Sequence, residues 1–576
     1  MSDREAGGQR HLCRESATIF KVATRSEANI QKSEAVSTAG MVTAEHPLAA
    51  EAGARILREG GNAVDAAVAA AFAMGVVEPT TSGLGGVAWC VIRQPDGTVT
   101  TIDGAGAAPV RATPAMYELT SSGAAGMYGW PATKDDEQNV GYRAVGRMGS
   151  VGCLCHALER YGTMDRASVM RDAIGLAADG WDVDWNLSLS LALYYERLAP
   201  VDASRAIFFR PSGAPLRTAT GFEAGDRLIQ RDLAESLRAI AATGPEAFYR
   251  GELGRRIVAD VQAHGGLLSQ ADFEQFAVRE DASLSVDYRG LTLHTLPGGS
   301  GAITTVETLR ILEGFELSKM DPLSAVALHL IAEAQRRAFA DRFTYLADPA
   351  VVGPAIYDRL ASAEHAAAAR KTIDPGRATP DIAATPVPPS TDCTTHVNVI
   401  DRQGRMVALT TTLGGAFGSG VVAAGTGIML GNVMTWFDPR PGLPNSIAGG
   451  KRILSAIVPM LLLRGGQPYV ATGAPGGRRI MSAMVHVVTN LVDFGQSPGR
   501  AVNGARIHCE SADLLVDTRI PQATRDALAG MGHRVIPRLE TFASSHFARP
   551  SAIVVTGAER RAGVGALKSS TAIGVD

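Results

Sequence analysis

Cysteine, long apolar runs and net charge are all in short supply here, and each shortage excludes something. Six cysteines (Cys13, Cys90, Cys153, Cys155, Cys393 and Cys509) are scattered over 576 residues, which does not make a disulfide framework. A membrane-spanning helix needs about 18 or more consecutive apolar residues. The longest apolar run, residues 66–77, is shorter, rich in alanine, and reads as a buried helix. Residues 1–38 are polar and of mixed charge, without the apolar stretch of a secretory signal. They are expected to be a disordered leading segment, and the protein to be cytoplasmic. A net charge of −3 gives no reason to expect nucleic acid or an anionic membrane as partner.

Two apparent motifs are also incomplete. Cys153, Cys155 and His156 lack the two-residue gap and the second half of a zinc site, so buried structural thiols are expected. The glycine-rich residues 82–86 lack the Lys-Ser/Thr of a phosphate loop and read as a tight backbone turn near the site. Neither a metal nor an organic cofactor is called for.

What is present is core material: 46% hydrophobic and 20% charged residues, with no internal repeat. Length alone suggests several domains. A strand is predicted over residues 41–47, then a helix closed by Gly60-Gly61, then an alanine-rich helix to Met74. A hairpin turns at Asp96-Gly97, and residues 150–280 are mostly helical. Residues 291–298 return to strand and lead into a helix ending near Gly314. The next helix, 325–347, carries Glu333, Arg336 and Arg337 at the spacing of intrahelical ion pairs. An apolar helix follows Ile480, with later strands at 513–517 and 551–557.

The stretch from Cys393 to Arg479 organises the rest. TTHVNVID (394–401) alternates, putting Thr394, His396 and Asn398 on one strand face. DRQG is a tight turn and MVALTTTL the returning strand of a hairpin, ending near Thr412. A threonine hydroxyl is a poor nucleophile until a base sits beside it. As the first residue of a chain it carries that base itself, an α-amine with a pKa of about 7.7–8.0. That would require the chain to cut itself between Cys393 and Thr394. The Pro-, Ala-, Thr- and Ser-rich residues 378–393 just upstream read as a mobile loop able to present the bond. Taken alone, Thr-Thr-His is ordinary strand composition.

The wider pattern changes that reading. GGNAVDAAVAAAFAMGVVEP (60–79), SGLGG (82–86), RYGTM (160–164), LPGGSGAITTVETLRILEG, IAEAQRRAFADRFTYLADP, TTHVNVID, TLGGAFGSG and TGAPGG (472–477) occur in one order. In this the chain resembles the γ-glutamyltransferase (glutathione hydrolase) family from about Gly40 to its C-terminus. The resemblance implies an α+β fold, the four-layer αββα sandwich of N-terminal nucleophile hydrolases. It also implies a proenzyme split into a large subunit (39–393) and a small subunit (394–576), with higher oligomers open. By position Thr394 is similar to the nucleophile and Thr412 to its hydroxyl partner. Gly476 and Gly477 are similar to the oxyanion-hole donors, a role for which glycine permits close backbone approach.

The departures are as informative. Family members grip the α-carboxylate of a γ-glutamyl group with an arginine in a segment resembling DFRExAP; here DGAGAAP places Ala105 there. The positions that hold the α-amino group resemble Gly414, Val433 and Trp436, and the paired serines resemble Ser455 and Ala456. Truncating one side of a buried charge pair costs about 2–5 kcal/mol, so γ-glutamyl selectivity should be nearly lost. The pattern resembles instead the family's cephalosporin (glutaryl) acylases and small-amide hydrolases such as oxamate amidohydrolase. Arg478 is a candidate replacement anchor for an acidic donor, against the reading of a solvated surface arginine. His508 and His546 are candidates for touching the pocket. The expected function is therefore an amidase acting on a small amide with a non-γ-glutamyl donor. A true γ-glutamyltransferase, or an unprocessed and catalytically silent binding scaffold, are the alternatives.

Overall fold

The computed structural model describes residues 30–126, 128–380 and 393–576. Residues Lys32–Asp576 form one compact unit. Two antiparallel seven-stranded sheets make its centre. The first runs Thr571–Val575, Gly40–Ala44, Thr395–Ile400, Met406–Thr412, Val87–Arg93, Val99–Gly104, Arg279–Ala282. The second runs Ala35–Ser37, Glu559–Gly563, Ser551–Thr556, Gln467–Gly473, Met460–Arg464, Leu291–Thr295, Leu284–Tyr288. The sheets face each other, with Gln467–Gly473 packed across the Thr395–Ile400/Met406–Thr412 hairpin. Helices Pro47–Arg58 and Ala63–Val77 cover the outside of the first sheet; Ala302–Leu312 and Arg479–Val492 cover the second. This is the expected four-layer αββα sandwich, so the length that suggested several domains misleads.

The Ala63–Val77 helix shows why the pattern is layered. Fourteen of its fifteen residues are buried, and small side chains all round let it lie between the sheet and other helices. Its N-terminus is closed by a capping box: Asn62 accepts from the amides of Val64 and Asp65, and Asp65 accepts from the Asn62 amide. Asp401, in the hairpin turn, accepts from the Ala63 amide at 3.0 Å. The turn itself needs glycine, because Gly404 sits at φ +76°. One hairpin thus anchors a helix on one face and carries Thr394 and Thr412 at its far end.

Most sequence expectations hold within a few residues. One boundary is corrected. Residues 1–29 lie outside the described residues, but Ala35–Ser37, read as part of a disordered leader ending at 38, is an edge strand paired with Glu559–Gly563. Three residues gain a ladder there, a long-range partner that local composition does not reveal. Most of the loop read at 378–393 also lies outside the described residues. Glu333 does pair with Arg336 (2.9 Å) and Arg337 (2.7 Å). Cys153 and Cys155 are buried free thiols, and His156 pairs with Glu280 at 2.6 Å. Among the described residues no helix is long and apolar enough to cross a membrane.

Candidate active site

The hairpin is in register from Thr395 opposite Thr411 to Ile400 opposite Met406. That pairing brings Thr394, just before the first strand, beside Thr412, at the end of the second. Both are buried, and the Thr394 hydroxyl donates to Thr412 Oγ1 at 3.3 Å. Thr412 Oγ1 in turn donates to the carbonyl oxygen of Cys393 and accepts from the Gly414 amide at 3.0 Å. A continuous line therefore runs from one hydroxyl through another to the carbonyl of the preceding residue. A hydroxyl donated to a carbonyl draws electron density off its carbon, which favours attack there.

Glycines crowd this end of the hairpin for steric reasons. A Cβ on Gly86, in the Ser82–Gly86 turn, would lie 2.4 Å from the Thr412 carbonyl oxygen. Gly414 sits at φ +97°, with Asn432 Oδ1 2.2 Å from where its Cβ would be. Asn432 holds this turn by accepting from the Gly415 amide at 2.6 Å. Sequence reasoning did not single Asn432 out; it stands between two strand patterns with no motif of its own.

Behind the threonines a polar layer ties the two sheets together. His396 Nδ1 meets Thr410 Oγ1 at 2.7 Å and Nε2 meets Asn398 Oδ1 at 2.9 Å. An amide oxygen only accepts, so Nε2 carries the hydrogen and Nδ1 accepts from Thr410. Asn398 Nδ2 donates to Thr43 Oγ1 (3.1 Å) and Ser551 Oγ (3.0 Å). Burial lowers the His396 pKa to about 4, and its bond to Asn398 only partly opposes that, so the ring is neutral at pH 7. A Cβ on Gly473 would strike the His396 ring at 2.2 Å, which shows how closely the second sheet approaches.

Three residues beyond Gly473, Gly476 and Gly477 turn the chain into the Arg479–Val492 helix. Gly476 adopts φ +142° and lies against Ala548, whose Cβ would be 2.4 Å from an added Cβ. Gly477 adopts φ +58°. Any other residue at either place would be strained.

The pocket residues named from sequence share one apolar cluster. Ala105, Val433, Trp436 and Ala456 are all buried in it together with Cys393. Gly106, next to Ala105, leaves only 3.0 Å between an added Cβ and Val433 Cγ1, and Gly414 leaves 3.2 Å to the Trp436 ring. Ser455 is fully buried; its amide donates to the Gly299 carbonyl at 3.0 Å. Its carbonyl accepts from Arg342 Nη2 at 2.8 Å.

Arg478 is not a surface residue. It is 2% exposed and paired with Glu510 through Nη2 at 2.9 Å and Nε at 2.8 Å. Burial alone would raise the Glu510 pKa; the charge of Arg478 overrides it and holds that carboxyl at about 2. His508 is buried 3.4 Å from Glu510, and the His546 amide donates to Glu540. Tyr128, Arg342 and Glu510 were missed from sequence. Tyr128 lies in GMYGW, a run without periodicity, and Arg342 reads as one more charge on a helix.

Two other groups have the composition of cation ligands, His329–Glu333–His533 and Glu307–Asp341–His365. In the first, Glu333 is already taken by Arg336, Arg337 and Thr379. In the second, His365 bridges Glu307 (3.1 Å) and Asp341 (2.9 Å). Neither contains a residue of the Thr394 cluster.

Comparison with known proteins adds the wider context. The profile of the gamma-glutamyltranspeptidase family matches residues 49–574. Acylase ACY 1 proenzyme of Pseudomonas sp. (strain SE83) is 38% identical over 508 residues, 88% of this chain and 89% of the relative. Glutathione hydrolase proenzyme of Escherichia coli (strain K12) is 35% identical, covering 86% of each. The crystal structure of cephalosporin acylase from Bacillus halodurans superposes with a TM-score of 0.85 at 27% identity. That match covers 97% of this chain and all of the other.

Proposed function

The chain belongs to the gamma-glutamyltranspeptidase family, enzymes of the N-terminal threonine type. On that premise we propose that it is a self-cleaving amidase that transfers a non-γ-glutamyl acyl group to Thr394 and then to water. The observation that carries this is the hydrogen-bonded line from Thr394 through Thr412 to the Cys393 carbonyl. In the uncut chain the Thr394 oxygen attacks the Cys393 carbonyl carbon. Its proton passes to Thr412, and the Thr412 proton passes to the carbonyl oxygen, so no charge is left stranded in a buried site. On collapse the proton on the former carbonyl oxygen passes to the departing nitrogen as the Cys393–Thr394 C–N bond breaks, leaving an ester and a free α-amine. Water then hydrolyses the ester to a Cys393 carboxylate and a free Thr394 hydroxyl.

In the processed enzyme, the Thr394 amine takes the hydroxyl proton as Thr394 attacks a substrate amide. Backbone amides of Gly476 and Gly477 receive the developing oxyanion. The amine leaves with the proton, and water releases the acid from the acyl-threonine. The products are two subunits, 1–393 and 394–576, paired in the same sandwich. The proenzyme names of the acylase and glutathione hydrolase relatives support the cleavage, and the loss of polar partners at Ala105, Val433 and Trp436 supports the donor class.

Thr394→Ala tests the reading. The variant should run as one intact band on a denaturing gel and turn over no anilide, whereas Thr394→Ser should still cleave. Cleavage or turnover in the alanine variant would refute the assignment.

A further inference from the structure

Outside the Thr394 cluster, three helices upstream of Cys393 bring one imidazole and two carboxyls together. Glu307 comes from Ala302–Leu312, Asp341 from Ala325–Tyr345 and His365 from Ala363–Arg370. His365 Nε2 lies 3.1 Å from Glu307 Oε1 and 2.9 Å from Asp341 Oδ2. One possible ligand atom from each residue falls within 4.8 Å of the others. Ser362 caps the third helix by accepting from the His365 amide at 3.1 Å, which fixes the histidine in its first turn. Sequence spacing does not reveal the group, since Asp341 and Glu307 stand 24 and 58 residues from His365.

Positive charge is in short supply here. Glu307 is fully buried, and its second oxygen, Oε2, has no hydrogen-bond partner among the described residues. Its carboxyl meets His365 and also the Asp341 carboxyl. Carboxylate oxygens are both acceptors, so nothing holds that contact without a proton or a cation between them. Histidine Nε2 carries one hydrogen at most, which the two carboxyls must share. The arginines on these helices are engaged elsewhere. Arg310 pairs with Glu313, Arg370 donates to the Ile311 and Arg310 carbonyls, and Arg337 pairs with Glu333. Glu333 shows the contrast: its own helix gives it two arginines, Arg336 and Arg337. Among the described residues Glu307 and Asp341 pair with His365 and with no lysine or arginine.

We propose that Glu307, Asp341 and His365 bind a divalent metal ion of the zinc type, and that the ion fastens the three helices together. Mixed imidazole and carboxylate ligands favour zinc over calcium or magnesium, which take oxygen ligands. Zinc bonds of about 2.0–2.2 Å in a tetrahedron put ligand atoms about 3.3 Å apart. The observed 2.9 and 3.1 Å need open by only a few tenths of an ångström. Glu307 closes the inner side. The Asp341 and His365 side chains are 24% and 21% exposed, which leaves an entry path and room for water as a fourth ligand. None of this depends on the chemistry assigned to Thr394.

The test is calorimetric titration of zinc into the full chain after dialysis against a chelator. One equivalent should bind with a Kd of about 1 µM, weaker than a structural site with four protein ligands. Asp341→Asn and His365→Gln change partly exposed side chains, and each should weaken binding at least about 10²-fold. His533→Ala, in the other group of cation-ligand composition, should bind as the wild type does. Cobalt in place of zinc should show the visible absorption of a four-coordinate ion, and His365→Gln should abolish it. A wild type that binds no zinc would overturn the proposal and leave a shared proton holding the cluster. Wild-type affinity in both Asp341→Asn and His365→Gln would overturn it too, as would an equivalent lost in His533→Ala instead. Calcium binding as tightly as zinc would also count against it, because the imidazole would then have no part. Thr394→Ala should bind zinc like the wild type, so failure of the self-cleavage reading leaves this test intact.

Discussion

Two polar groups near Cys393 differ in how fully they are bonded, although the Thr395 and Thr411 hydroxyls of the hairpin are also buried without a partner among the described residues. On the hairpin side the inter-sheet polar layer is bonded: His396 to Thr410 and Asn398, Asn398 to Thr43 and Ser551. On the pocket side Arg478 Nη1, Tyr128 and Ser455 Oγ are buried with no hydrogen-bond partner among the described residues. A saturated network has one low-energy arrangement, so it fixes where the threonine oxygens sit. An unsaturated one lacks that constraint.

That contrast can be broken deliberately. The largest effect should come from Thr412→Val, which removes the hydroxyl that both accepts from Thr394 and donates to the Cys393 carbonyl. Self-cleavage, followed by the disappearance of the intact band, should slow by about 10²–10³-fold, as for loss of one oxyanion-type donor. An unchanged rate would mean the hydroxyl line is incidental.

Next comes a matched pair read by urea unfolding. Asn398→Leu strands His396 Nε2 and two hydroxyls in a buried layer, and should cost about 2–3 kcal/mol. Ser455→Ala removes a hydroxyl with no hydrogen-bond partner among the described residues, and should cost well under the roughly 1 kcal/mol of a formed hydrogen bond. Equal costs would erase the distinction between the two regions.

A separate test is the pH dependence of stability. Burial lowers the pKa of His396 to about 4 and of His486 to about 3, against 6.5 for the ordinary side chain. Above pH 6.5 both states are neutral and these groups contribute nothing. Below it the unfolded chain binds the protons first, so stability falls with pH, by about 1.4 kcal/mol per histidine per pH unit until the folded value is reached. The melting temperature should therefore drop between pH 7 and pH 5, and a flat profile would contradict the buried neutral rings.

Much of this was legible in the sequence because it is local. Alternation marked the hairpin, DRQG its turn, and the glycines of SGLGG and APGG the places where backbone approaches backbone. Of the residues similar to a known site, Thr394 and Thr412 lie together beside the Cys393 carbonyl. What stayed hidden depends on partners far along the chain. Nothing near Arg478 announces Glu510, 32 residues on, or Tyr128, about 350 residues before it, so surface and pocket looked equally plausible. The Ala35–Ser37 strand was hidden for the same reason: its partner is more than 500 residues away.

The most direct measurement is the N-terminal sequence of the smaller chain in active enzyme. It should begin Thr-Thr-His-Val, at Thr394, with the larger chain ending at Cys393. A fully active protein that remains one uncut polypeptide, or a smaller chain beginning elsewhere, would contradict the account.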